Sequence, residues 1–234
     1  FYGHLNSVDE NGKVTARYYP ETNDDGKVCG YKCRNHPKDF SFGKVGNTGS
    51  KSQLSGQVKF KNGGKYVLLV GGEEDKAAAY AMLKANQKDG EYDTIAVVSP
   101  TSGESSAAKQ CARQYEWLDK YEFIVIGMDN DEAGRKASVE IAKVLPKEKV
   151  KIATWSSKDP NQMLIEGKSK QFVRDFYGAK PLVTNGVKDS TTMRKAMKQE
   201  LSAPKIPLPP HMWRLQEAMG GGIRQGRIVN VIGD

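Results

Sequence analysis

From residue 65 onward the chain alternates repeatedly between a short apolar run and a longer amphipathic one. The apolar runs cover residues 66–70, 94–98, 123–128 and 150–155, and the runs with helical texture cover 74–86, about 105–118, 131–144, a short stretch after Pro160, and 170–177. Strands with one wet face alternate apolar and polar residues, whereas these are nearly continuous in Val, Ile and Leu. They therefore need cover on both faces, which helices between parallel strands provide. The expectation is an α/β fold, a parallel sheet flanked by helices with right-handed crossovers.

The flanks read differently. Residues 13–19 and 27–34 are rich in Val, Tyr and Thr, and Asn23-Asp24-Asp25-Gly26 between them signals a hairpin. A Gly, Ser and Lys-rich stretch, 41–56, has no periodicity and reads as loop. After residue 180 comes a connector, then Asp189-Ser190 positioned to cap a charged helix over 191–201, ended by Ser202-Ala203-Pro204. Prolines extend 206–210, and the tail from 212 reads as a short helix, a Gly220-Gly221-Gly222 turn and a strand over 227–232. The division expected is a basic β-rich part over 1–63, an α/β core over 64–180, a linker with a helix over 181–205, and the start of a further domain over 206–234. No internal repeat is visible. The chain begins at Phe1 and stops at Asp234 inside an apolar strand pattern, so it is expected to be a fragment.

Composition narrows the partners. The 38% apolar content allows one good core with appendages. No run of about 18 apolar residues occurs, so no membrane partner is expected, and no signal-peptide pattern is present. Three cysteines are too few and too odd for a disulfide framework, which suits a reducing compartment. A formal charge of +8 suggests an anionic partner, although a basic surface also serves solubility.

The residues most suggestive of chemistry are acids at strand ends. Asp129 and Asp131 follow the third apolar run, and residues two apart on an extended chain project to one side. Ligands of α/β sheets sit at the carboxyl ends of the strands, and paired hard oxygens there suit Mg²⁺. The plainer alternative is that Asp131 caps the next helix. Two further strand ends carry acids, Gly71-Gly72-Glu73-Glu74-Asp75 and Lys158-Asp159-Pro160-Asn161. Acids converging from three strand ends favour a metal site over capping alone.

The order of the Gly-acid cluster, then Asp129-x-Asp131-x-Ala133-Gly134, then Lys158-Asp159-x-Asn161, resembles the TOPRIM domain. More closely, Asp129-Asn130-Asp131-Glu132-Ala133-Gly134-Arg135-Lys136 and Ser106-Ala107-Ala108-Lys109 resemble the primase half of the bifunctional primase–helicases of short-tailed phages, relatives of the mitochondrial helicase Twinkle. The similarity spans roughly residues 27–234 and implies a TOPRIM-type fold. It implies DNA-templated synthesis of RNA primers, with Asp129, Asp131 and Asp159 at the metal-binding positions and Asp75 at the second acid of the first motif. It also implies Mg²⁺ or Mn²⁺ as cofactor. Zn²⁺ would belong to a template-reading module upstream of this region, and ATP to helicase residues beyond it. The partners implied are single-stranded DNA template, ribonucleoside triphosphates, RNA primer, the helicase domain in a ring oligomer, and a replicative DNA polymerase. The location implied is the cytoplasm of an infected host rather than a mitochondrion.

One position departs from the pattern. The family's first motif reads Glu-Gly-x-x-Asp, its leading Glu being a general-base or metal-assisting carboxylate, and here that position is Gly71. Three explanations stand: an introduced change, natural loss of priming, or Glu73 taking over through a local distortion. Two functional readings follow, a primase or an impaired TOPRIM scaffold that binds DNA and supports the helicase ring. A TOPRIM nuclease or topoisomerase fits poorly, because a linker and helicase-like tail follow directly.

The basic residues fit the same picture. Lys32 and Arg34 share one strand face, and the Pro37 turn can bring Lys38 near. The resemblance places Lys32 and Lys38 on lysines that contact nucleotide and primer. Lys44 and Lys51 lie in the loop that follows, and Lys158 precedes Asp159. Each could equally be a solvated charge. Cys29, Cys33 and His36 suggest zinc at first sight, but structural zinc wants four ligands and no second pair exists, so half-buried thiols are the better reading. The loop from Ser99 to Glu104 opens a helix and could hold a phosphate, or be an ordinary βα loop. The tail, Gly220 to Asp234, resembles the strand leading into the Walker A loop of RecA-like ring helicases, and the sequence stops before the Gly-Lys-Ser/Thr that would hold ATP.

Overall fold

In the computed structural model, the described residues are 1–36, 45–49, 51–87, 95–182, 193, 194, 197, 198, 202 and 204–224. They form two compact units, residues 1–182 and 183–234. The first unit opens with an antiparallel sheet of order β1-β2-β3-β4, where β1 is Leu5–Val8, β2 Val14–Thr22, β3 Val28–Asn35 and β4 Val45–Gly46. The turn between β2 and β3 closes as expected, Gly26 N–H donating to Asn23 O at 2.8 Å and Asn23 N–H to Lys27 O at 2.9 Å. A bulge between Glu21 and Thr22 leaves the pairs Tyr19↔Lys32 and Arg17↔Arg34 directly across the ladder.

The second sheet has order β6-β5-β7-β8-β9, with β5 at Gly64–Val70, β6 at Ala96–Val98, β7 at Tyr121–Gly127 and β8 at Val150–Ile152. These four strands are parallel, and the two-residue β9, Lys180–Pro181, joins antiparallel at the edge. Helix α1, Glu73–Ala85, connects β5 to β6. Helices α2, Glu104–Arg113, and α3, Tyr115–Leu118, connect β6 to β7. Helix α4, Glu132–Lys143, connects β7 to β8, and α5, Pro160–Ile165, and α6, Ser169–Tyr177, follow. The single helix expected over 105–118 is thus two, broken at Gln114. The Gln114 side chain is drawn into contact with Gln57 (2.8 Å) and Asp24 (3.4 Å), partners remote in sequence.

Alternation along the strands builds two cores. Val67, Leu69, Ile124 and Ile126 pack with Ala107, Cys111, Ile141 and Ala142 of α2 and α4. Leu68, Val70, Val97 and Val125 pack with Ala78, Ala79 and Met82 of α1 and with Phe172 and Phe176 of α6. Both faces are covered, which is why the strands read as continuous apolar runs. Because β6 leaves β5 on one side and β7 lies on the other, the strand order reverses between β5 and β7. Such a switch point opens a crevice at the carboxyl ends of the strands, where α/β sheets place ligands.

The second unit contains β10, Lys205–Ile206, paired antiparallel with β11, Ile223–Arg224, and a short helix α7, Trp213–Ala218. Most of the linker helix expected over 191–201 and the strand over 227–232 lie outside the described residues.

Candidate active site

Two strand exits flank the switch point. Beyond β5 the chain passes Gly71 and enters α1 at three consecutive acids, Glu73, Glu74 and Asp75. Carboxylates in a helix's first turn meet the positive end of its dipole. Successive helical side chains point about 100° apart, so the three acids reach three different neighbours. Glu73, almost fully buried, accepts hydrogen bonds from Lys32 Nζ at 3.0 and 3.2 Å. Glu74 accepts from Arg17 at 2.7 Å to both oxygens and from the Tyr19 hydroxyl, with Arg34 at 3.8 Å. Burial opposes ionisation of Glu74, but Tyr19 and Arg17 outweigh it and hold its carboxyl below the ordinary value.

Asp75 turns the other way. Its Oδ1 accepts from the Asn161 backbone N–H at 3.2 Å. Burial first, then the charge of Asp159, push its carboxyl up to about 7, with Asp129 adding to the rise and the Asn161 N–H opposing it. Three acids from the three strand exits named by the sequence therefore interact: Asp75 after β5, Asp129 after β7 and Asp159 after β8.

Asp131 and Asp159 both cap helices, as the plainer reading of Asp131 anticipated. Asp131 Oδ1 accepts from Gly134 N–H at 2.8 Å, and Asp159 Oδ1 from Gln162 N–H at 2.7 Å. Gly134 has a structural reason to lack a side chain, since a Cβ there would lie 2.1 Å from the Asp129 carbonyl oxygen. Backbone cannot yield as a flexible side chain can. Gly134→Ala is accordingly expected to destabilise the chain by about 1–3 kcal/mol or more, read in a denaturant melt. A melt matching the native chain would contradict this packing.

The basic residues divide. Lys32 and Arg34 stand on β3 opposite Tyr19 and Arg17 on β2, and these four grip Glu73 and Glu74. Lys32 is thus bound to an acid two residues from Asp75. Lys51 and Lys158 are exposed, and Lys158 contributes its carbonyl oxygen to Asn130 N–H at 2.7 Å. Lys38 and Lys44 lie outside the described residues. Sequence reasoning missed Arg17 and Tyr19. Their signal was available, because a hairpin turning at 23–26 puts them across from Lys32 and Arg34. All three cysteines are free thiols, Cys33 and Cys111 buried and Cys29 partly so.

The residues present fit a divalent cation. The donors are carboxylate oxygens only, and burial together with the charges of Asp159 and Asp129 pushes the Asp75 carboxyl up to about 7, a cost that a cation relieves. Among the described residues no three His, Cys, Asp or Glu side chains already close on one point. An ion held here would keep several waters or substrate oxygens, as Mg²⁺ does. No helix among the described residues is long and apolar enough to cross a membrane.

Residues 79–164 match the Toprim-like family. The chain is 33% identical over 200 residues to the DNA helicase/primase of Enterobacteria phage T3, an alignment covering 85% of this chain and 32% of the relative. The chain thus spans about a third of that relative's length. The crystal structure of the primase fragment of the bacteriophage T7 primase–helicase superposes with a TM-score of 0.63 at 29% identity, covering 74% of this chain and 67% of the other. A chain from the bacteriophage T7 lagging-strand DNA polymerase structure, in which primase domains are bound to an RNA/DNA hybrid and dTTP, gives 0.62 at 26% identity, covering 76% and 94%.

Proposed function

From the premise that this chain carries a Toprim-like domain similar to phage primase regions, we propose that it is the primase core of a DNA primase–helicase. It makes short RNA primers on single-stranded DNA. The observation carrying this reading is that Asp159 and Asp129 both act on the Asp75 carboxyl, the three acids standing at the exits of three adjacent parallel strands.

The reaction is attack by a ribose 3′-hydroxyl on the α-phosphate of a ribonucleoside triphosphate. A new O3′–P bond forms, the bond to the β-phosphate oxygen breaks, the hydroxyl proton passes to solvent, and pyrophosphate leaves. Asp75, Asp129 and Asp159, with Asp131 beside them, are the groups to hold Mg²⁺ or Mn²⁺. A divalent cation bound there would supply neutralisation of the charge that develops during the transfer. Lys32, Arg34, Lys38, Lys44, Lys51 and Lys158 are the candidates to attract template, primer and nucleotide. The ion pair between Lys32 and Glu73 engages Glu73 rather than leaving it free as a base. With Gly71 at the first acid position, no side chain there accepts the 3′-hydroxyl proton, so turnover is slow although the binding groups remain.

In the full-length protein the reading includes an ATP-dependent helicase ring, a zinc-bearing template module, contact with a replicative polymerase, and action in the infected host's cytoplasm. The organisation is a basic β-rich part over 1–63, the TOPRIM core over 64–180, a linker over 181–205 and the helicase start over 206–234. The test is synthesis of labelled oligoribonucleotides by full-length protein on a single-stranded template with Mg²⁺. Metal-dependent short RNA is the expected product. Template binding with no RNA, even after Gly71→Glu, would favour the scaffold reading.

The protonated state of Asp75 makes a second prediction. Its folded pKa, about 7, lies above the ordinary 3.8. Its contribution to stability is therefore fully present below about pH 4 and is lost as pH rises through 7. A cation must displace that proton, so the gain in melting temperature on adding Mg²⁺ should grow between pH 5.5 and 8. A gain independent of pH would contradict the shared site.

A further inference from the structure

The acids reach one another only if the loops bearing them are fastened together. We infer that Asn130 is a positioning residue that fastens the Asp129 loop to the Asp159 loop, so that its side chain sets how tightly the acids hold a divalent cation. This rests on the metal reading proposed above.

Asn130 lies between Asp129 and Asp131, and the two hydrogen bonds that it donates cross to the segment leaving β8. Its backbone N–H donates to Lys158 O at 2.7 Å, and its side-chain Nδ2 donates to Trp155 O at 3.1 Å. Arg135 Nη1 approaches both Asn130 O and Oδ1 at 3.4 Å, which orients the amide with its nitrogen toward Trp155. A third tie runs the other way, the Trp155 indole N–H donating to Gly127 O at 3.1 Å. The indole lies so close over Gly127 that a Cβ there would stand 2.1 Å from the ring. Two strand exits are thus stitched at three points within a few residues of Asp129 and Asp159, and Asn161 N–H continues the stitching to Asp75 at 3.2 Å.

Of these ties, the Asn130 amide is the one that a side-chain substitution removes cleanly. The residue is exposed, so replacing it empties no core. The backbone bond to Lys158 survives any substitution and keeps the loops adjacent. What is lost is the precision of the spacing, and residues that orient metal ligands from outside the coordination shell commonly govern affinity.

The experiment is calorimetric titration of Mn²⁺ into the 234-residue chain, its Asp129→Asn variant, and two substitutions, Asn130→Leu and Asn130→Ala. Melting temperatures are taken in chelator. Both Asn130 variants are expected to bind about fivefold more weakly than the native chain, the weight of one hydrogen bond. Their metal-free melting temperatures should stay within about 2 °C of native. Native affinity in both variants would overturn the inference. A loss of metal-free stability in both, large enough to explain the weaker binding, would make Asn130 merely structural and overturn it too. Native binding no tighter than that of Asp129→Asn would instead overturn the metal reading, and the inference with it.

Discussion

Gly71→Glu is expected to raise dinucleotide synthesis by about 10²–10⁴-fold, the range that a positioned general base or charge-stabilising group contributes. Gly71 sits between the last residue of β5 and the first turn of α1, at the carboxyl end of a strand that borders the switch point. Its backbone does not take a positive φ, so a side chain is conformationally acceptable. The neighbouring acids do not substitute for it. Glu73 is buried against Lys32 and Glu74 is held by Arg17, Arg34 and Tyr19. Affinity for single-stranded DNA should hardly change, because the basic residues proposed to attract phosphate are untouched. The rate is measured with Mg²⁺ on a primase template, in otherwise identical full-length proteins. Equal rates would mean that another acid, Glu73 first among them, performs the role.

Asp129→Asn is expected to lower synthesis by at least about 10²-fold when introduced beside Gly71→Glu, where the starting rate is high enough to read. The substitution keeps size but removes one negative charge and turns one acceptor oxygen into a donor nitrogen. It should also leave a second trace. Asp129 helps to keep Asp75 protonated, so its neutralisation should move the Asp75 carboxyl down toward its ordinary value. The pH at which metal-free stability declines should shift down with it. A loss of activity without that shift would place Asp129 away from Asp75. An unchanged activity would remove it from the site altogether.

Much of the α/β half was legible because the chemistry was local. A strand covered on both faces must be apolar throughout, so 66–70 and 123–128 announced β5 and β7 within two residues. Short polar elements were invisible: β1, Leu5–Val8, is mostly exposed, and the two-residue β9 depends on β8 for its partner. The break at Gln114 was equally hidden, since contacts to Gln57 and Asp24 decide it. At the site, the spacing of Asp129, Asp131 and Asp159 was readable. The separate fates of Glu73, Glu74 and Asp75 were not, because they depend on what stands opposite each turn of α1. Asp131 spends one oxygen on Gly134 N–H, and a carboxylate has a second, so capping does not exclude the metal role proposed for it.

The most direct measurement is the binding of Mn²⁺ to the 234-residue chain at pH 7.5, followed by loss of the free ion's electron paramagnetic resonance signal. It should be compared with a variant carrying Asp75→Asn, Asp129→Asn and Asp159→Asn together. Saturable binding by the native chain is expected, with at least about tenfold weaker binding by the variant, since these carboxylates supply the charge that holds the ion. The same affinity in both would contradict the claim that the acids at the exits of β5, β7 and β8 form the metal site of a primase.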